Sequence, residues 1–154
     1  MIKFFRTKSK NAFFTEEEQK QIISAIQQAE MHTSGEVRLF VESKCQYVNA
    51  LDKAVAIFEH LQMHQTANRN GVLIYIALKH KQLAIFGDEG IHQRVGKEFW
   101  DKELQKIISE FKSDQFVAGI VNVINDIGAV LKTHFPAPAE NNKNELPDDI
   151  IFGS

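Results

Sequence analysis

The sequence predicts an α/β domain. Two apolar segments of strand character, residues 36–42 and 72–78, are separated by a stretch of helical periodicity. That order makes a βαβ unit with parallel strands. A short polar step and a second apolar run follow, adding an antiparallel third strand as a hairpin. Helical patterns before and after this unit supply cover. The expected architecture is a short mixed β-sheet sandwiched between helices.

The first helix begins at Thr15, with Glu18 three residues on. Thr15 can cap the helix while Glu18 reaches back to the cap's own N–H. Ile22, Ile23, Ile26 and Ala29 then recur at helical spacing up to about His32. Residues 36–42 are rich in β-branched and aromatic side chains and form strand one. A second helix is expected from Asn49 to about Gln65, with Leu51, Ala54, Val55, Phe58 and Leu61 as its apolar stripe. Asn68-Arg69-Asn70-Gly71 breaks the chain. The nearly unbroken apolar run that follows marks a strand covered on both faces. Leu83-Ala84-Ile85-Phe86 is strand three, ended by Gly87-Asp88-Glu89-Gly90. One or two helical turns over residues 91–95 precede a firm helix over 97–112, with Trp100, Leu104, Ile107, Ile108 and Phe111 on one face. A last helix runs over about 115–134, where Gly119 and Gly128 cost helix propensity and signal close approach of another element. Pro136 and Pro138 stop it.

Composition sets outer limits. A chain of 154 residues is one domain that needs no disulfide or metal to fold. The net charge of −2 gives no field for nucleic acid, and none is expected as a partner. Cys45 is the only cysteine, so no internal disulfide is possible, which suits a reducing compartment. The apolar start, Met1-Ile2 and Phe4-Phe5, is too short for a signal-peptide core. No run reaches the roughly 20 apolar residues of a membrane helix, so stable membrane insertion is not expected. The expected location is the cytoplasm. The basic residues 1–13 read as a flexible terminus, or as a weak contact for an anionic membrane.

Topology makes distant residues converge. The start of strand one, the start of strand two and the end of strand three share one sheet edge. Glu36, Asn70, Asp88 and Glu89 therefore meet there. Hard cations want several carboxylate and carbonyl oxygens, so these four are candidate ligands for Ca2+ or Mg2+; no organic cofactor is expected. The plain alternative is a solvated turn in which Asp88 caps the next helix. Arg69, Arg94 and Lys97 stand near the glycine loop as candidate phosphate ligands, though Asp88 and Glu89 would repel a bare phosphate without a bridging cation. His60 and His64 sit four apart on one helix but lack a third ligand, and read as surface histidines. Cys45 has no activating partner in sequence. Trp100 and the phenylalanines sit at core spacing. In the tail, Leu146, Ile150, Ile151 and Phe152 form an apolar segment. It can pair with a sheet edge or groove of another molecule, fold back on its own domain, or stay disordered.

Several of these segments together resemble the TPM domain family, named from a thylakoid lumen protein, a photosystem II repair protein and a nematode receptor modulator. Ser34-Gly35-Glu36-Val37-Arg38 opens strand one, and Asn70-Gly71-Val72-Leu73-Ile74 opens strand two. Ala84-Ile85-Phe86-Gly87-Asp88-Glu89-Gly90-Ile91 is similar to the family's strand-and-glycine-loop segment. Phe99-Trp100 and His134-Phe135-Pro136 look like a short, soluble bacterial branch. The resemblance implies a TPM-like domain over residues 14–136; the polar composition beyond it reads as a mobile tail over 137–154 with an apolar docking segment at 146–152. It also implies a sheet flanked by helices. Some members bind calcium or show acid phosphatase activity, and others act as assembly or repair factors. The implied function is an accessory binding module that coordinates a divalent cation at the sheet edge. The alternative is a metal-dependent acid-phosphatase-like hydrolase using that edge. If the tail binds in trans, the expected partners are a membrane-bound relative or a second copy. Two features depart from the family pattern. The signal peptide and membrane helix of many members are not found here. The Gly-Tyr-Gly-type loop is replaced by the compact Gly87-Asp88-Glu89-Gly90.

Overall fold

The computed structural model describes residues 13–111, 115–138 and 150–153. The elements run α1 (Glu16–Glu30), β1 (Glu36–Glu42), α2 (Ala50–His60), β2 (Gly71–Ala77), β3 (Gln82–Gly87), α3 (Glu89–Glu110), α4 (Phe116–His134) and β4 (Ile150–Phe152). The sheet has the order β3-β2-β1-β4. β1 runs parallel to β2 and to β4, and β3 is antiparallel to β2. The α/β sandwich expected from the sequence is therefore the fold.

Local chemistry explains most boundaries. The Thr15 hydroxyl accepts from Glu18 N–H at 3.0 Å, and the Glu18 carboxylate accepts from Thr15 N–H at 2.9 Å, completing the capping box. Asn49 caps α2 by accepting from Leu51 N–H at 2.7 Å. This helix ends at His60, sooner than its stripe implied. Gln62 turns left-handed at φ 57°, which brings Met63 under the helix, where it is buried and its N–H donates to Phe58 O. The hairpin closes over residues 78–81, with Lys81 at φ 53°. Residues 91–95 and the following helix form one element broken at Gly96, whose φ of 79° suits glycine. In α4, Gly128 lies against the Ala29 backbone of α1, where a Cβ would stand 2.7 Å from Ala29 Cα.

The sheet separates two apolar clusters. On one face α1, α3 and α4 cover Val37, Leu39, Val41, Val72, Ile74 and Ile76. On the other, α2 covers Leu73, Tyr75, Ala77 and Ala84. Side chains alternate between faces along each strand, and β2 is buried on both. Within the α2 face, buried Tyr75 donates its hydroxyl to Glu42, which Lys53 meets at 3.5 Å. Burial, and then that bond, push the Tyr75 phenol upward. α4 is long and apolar enough to cross a membrane by length and composition, unlike the expectation from continuous runs. Its buried residues, Ile120 to Leu131, pack in the core beside α1.

Of the three fates expected for the tail segment, residues 150–152 take the second and fold back on their own domain. Ile150, Ile151 and Phe152 pair in register with Leu39, Phe40 and Val41. All three are buried. These side chains are thus covered by their own domain and are not offered to a second molecule. The segment is a fourth strand, because β1 would otherwise expose its other edge beside a buried face. Leu146 lies outside the described residues. At the other terminus the expected flexible arm reached Phe13, but Phe13 stacks on Phe152 with ring centroids 5.5 Å apart.

One buried carboxyl is out of place. Glu103 on α3 is 4% exposed, and Lys106 reaches both it (3.2 Å) and Asp126 on α4 (2.6 Å). Burial first, and then the nearby Asp126 carboxyl, push Glu103 up to about 7, against the pull of Lys106. A raised carboxyl holds its proton longer in the folded chain than in the unfolded one. Its contribution is intact below the unfolded value of about 4.3 and is lost as pH rises through about 7. Glu103→Gln is expected to match the wild type in urea unfolding at pH 4. At pH 8 it should exceed the wild type by roughly 1–2 kcal/mol. A difference that does not vary with pH would contradict this.

Candidate functional site

The loop before β2 is built around Arg69. Arg69 N–H donates to Thr66 O at 3.2 Å, and Asn70 N–H donates to the Thr66 hydroxyl at 3.2 Å. Arg69 itself is left-handed at φ 51°. That twist aims its carbonyl at the start of α3, where it accepts from Gly90 N–H (2.8 Å) and Ile91 N–H (3.3 Å). Gly90 has no side chain to block this. A Cβ there would fall 2.0 Å from Asn68 O. The Ser34 hydroxyl accepts from the side-chain amides of both Asn68 and Asn70, each at 3.0 Å, joining the loop to the start of β1.

Asp88 completes the rim. Its N–H donates to Gly71 O, and its Oδ1 accepts from Glu89 N–H at 2.8 Å, capping α3. The Arg69 guanidinium lies across the same carboxylate, with Nε to Oδ2 at 2.7 Å and Nη2 to Oδ1 at 2.9 Å. Such a two-point contact is strong and directional. It pushes the Arg69 pKa up, chiefly through the hydrogen bonds to Asp88. Glu89 is more loosely held, 3.4 Å from Nη1 and 62% exposed at its side chain.

The expected convergence holds in the backbone. Glu36 pairs in register with Gly71, and Val72 with Gly87, so Glu36, Asn70 and Asp88 stand on one rim. The side chains are committed in ways the sequence did not reveal. Both Asp88 oxygens are occupied by Arg69. Glu36 is buried within the sheet, and Asn70 is buried with its Oδ1 lacking a hydrogen-bond partner among the described residues. The expected phosphate ligands are also engaged. Arg69 holds Asp88, Arg94 donates to Gly90 O and lies 4.9 Å over the Phe135 ring, and Lys97 pairs with Asp101 at 2.8 Å.

Beside this rim opens a groove of about 860 Å³. Leu83, Ile85 and Phe86 of β3 form its floor, Val48 and Leu51 at the start of α2 stand on one side, and Trp100 and Leu104 of α3 on the other. Val48 is fully exposed and Leu51 is half exposed. Trp100 is held by its indole N–H donating to His92 Nδ1 at 3.0 Å. Sequence reasoning missed this groove. Leu51 fitted the apolar stripe of α2, and Trp100 fitted the core. The one available signal was Val48, an apolar residue next to Tyr47 in the connection before α2. A smaller cleft of about 340 Å³, lined by Phe58, His64 and Phe86, lies on the other side of the Arg69–Asp88 pair.

The sequence matches the TPM domain over residues 8–130. The chain belongs to the TPM domain family. It is similar to the BA42 protein of the psychrophilic bacterium Bizionia argentinensis, solved by NMR, with 38% identity, a TM-score of 0.82, and coverage of 94% of this chain and 98% of that one. The N-terminal domain of the cg2496 protein from Corynebacterium glutamicum shares the fold at 10% identity and a TM-score of 0.62, covering 79% of this chain and 76% of that one. No functionally curated protein matches the chain by sequence.

The calcium chemistry implied by the TPM resemblance needs six to eight oxygens around an ion. Among the described residues no three His, Cys, Asp or Glu side chains gather to hold one. The guanidinium of Arg69 stands where a cation would reach Asp88. As arranged, Glu36, Asn70, Asp88 and Glu89 do not fit a preformed cage. If Arg69 takes the cation's place, Arg69→Gln should lower the heat midpoint by a few degrees in EDTA. Calcium at about ten times its Kd should then restore roughly 3–6 °C. Wild-type protein should move by less than about 1 °C in the same calorimetric titration. A wild-type shift of several degrees would show that the ion displaces Arg69.

Proposed function

We propose that this TPM-family chain is an accessory binding module that holds another molecule in the groove bounded by β3, α2 and α3. The observation that carries this reading is the groove itself. It is large enough for a ligand-sized segment, its walls are mainly apolar, and polar groups converge at one end. Exposed Val48 and Leu51 extend its apolar lining outward. The Arg69–Asp88 pair closes the end with charges already satisfied.

A second reading is a divalent cation at the rim, favoured by the buried, unpartnered Oδ1 of Asn70. It requires Arg69 to leave Asp88, and the side chain of Arg69 is 42% exposed, so it has room to move. The acid-phosphatase alternative has less support. Its three basic side chains are engaged with Asp88, Gly90 O, Phe135 and Asp101.

An NMR screen of the whole chain against a library of short peptides tests the module. The expected outcome is a set of ligands whose perturbations centre on Leu83, Ile85, Trp100 and Leu104. Leu104→Lys should weaken those ligands about tenfold or more, by placing a charge in the apolar wall. Perturbations confined to the α1–α4 side of the molecule would count against the groove.

A further inference from the structure

The floor of the groove is an unpaired strand edge. β3 ends the sheet, and among the described residues no strand lies beyond it. The ladder with β2 fixes which of its groups face outward. Asp88 N–H donates to Gly71 O, so by alternation residues 82, 84, 86 and 88 bond to β2. The N–H and C=O groups of Leu83, Ile85 and Gly87 point away from the sheet, into the groove.

Edge strands usually carry protection against pairing: a charge, a proline or a bulge. β3 reads Gln82-Leu83-Ala84-Ile85-Phe86-Gly87, with none of these. Its register with β2 is unbroken from Gln82 to Gly87. An uncharged, regular edge lined by apolar walls is a liability unless something is meant to lie on it.

Building on the groove as the binding site, we propose that its occupant is an extended segment of another polypeptide. This segment adds to β3 as a further strand, with apolar side chains at alternate positions and a basic residue at the end nearest Glu89. The alternating outward amides and carbonyls select the backbone. A row of them spaced two residues apart is matched by another extended chain. The walls select the side chains: Val48 and Leu51 on one side, Trp100 and Leu104 on the other. Charge selects the end. The groove is lined by three carboxylates, Asp88, Glu89 and Asp101, against two cations, Arg69 and Lys97. Asp88 is matched by Arg69 and Asp101 by Lys97. Among the described residues, Glu89 has only its 3.4 Å contact with an already engaged guanidinium. The surplus negative charge therefore sits where β3 ends and α3 begins.

The test uses the full chain, labelled with nitrogen-15, and four probe peptides. Two are acetyl-Lys-Thr-Val-Thr-Val-Thr-Val-amide and its reversed sequence, since either strand direction satisfies the edge. The third has alternate backbone amides N-methylated, and the fourth has Glu in place of Lys. The expected result is that the Leu83, Ile85 and Gly87 amides shift with one of the first two peptides, and that their hydrogen exchange slows about tenfold or more. N-methylation should abolish these changes. The Glu peptide, or Glu89→Lys with the Lys peptide, should bind about tenfold more weakly. Movement of Trp100 and Leu104 signals without the three amides would keep the groove as a binding site and overturn strand addition. Movement of neither set would overturn both. Protection of the three amides without peptide, growing with protein concentration alongside a doubled mass, would assign the edge to a second copy and overturn the proposal.

Discussion

Arg69 is attached at both ends, and the rim of the sheet beside the groove depends on that. Its carbonyl accepts from the first N–H groups of α3, and its guanidinium spans the Asp88 carboxylate that caps the same helix. Asp88 in turn donates its N–H to the start of β2. A loop, a strand start, a strand end and a helix start are thereby joined through one residue pair 19 positions apart in sequence. The pair sets where α3 leaves the sheet. Trp100 and Leu104 on that helix then define one wall of the groove.

The same pair engages side chains that a phosphate or a metal ion would otherwise meet at the rim. Arg69 and Asp88 satisfy each other, as do Lys97 and Asp101, while Arg94 is engaged by Gly90 O and the Phe135 ring and Glu89 is loosely held. What the region offers is shape: an apolar channel with an unpaired strand along its floor. On the proposed reading, a fold whose charges hold its own edges and which leaves one strand edge open among the described residues would hold a polypeptide there.

Much of the fold was legible because local signals agreed with long-range ones. The Thr15/Glu18 box and the apolar run of β2 each marked an element, and βαβ order then placed Glu36, Asn70 and Asp88 on one rim. β4 was not assignable to its own sheet, because three residues after a polar stretch carry no periodicity that names a partner. The α2 end was misjudged because Leu61 continued the stripe, and nothing in the pattern announced the left-handed turn at Gln62. The site was half legible. Backbone convergence follows from topology, but which carboxylate takes which cation depends on side-chain reach. Arg69 looked like a phosphate ligand because a basic residue beside a glycine loop has the same sequence signature whether it faces a ligand or an aspartate.

The most direct measurement is a double-mutant cycle on Arg69→Ala and Asp88→Ala, read by urea unfolding, with amide exchange followed at Gly90 and Ile91. If the pair joins loop to helix, each single variant should lose stability and free those two amides, and the double variant should lose little more than the worse single one. Losses that simply add, with Gly90 and Ile91 still protected in both single variants, would mean that the rim is held together by other contacts.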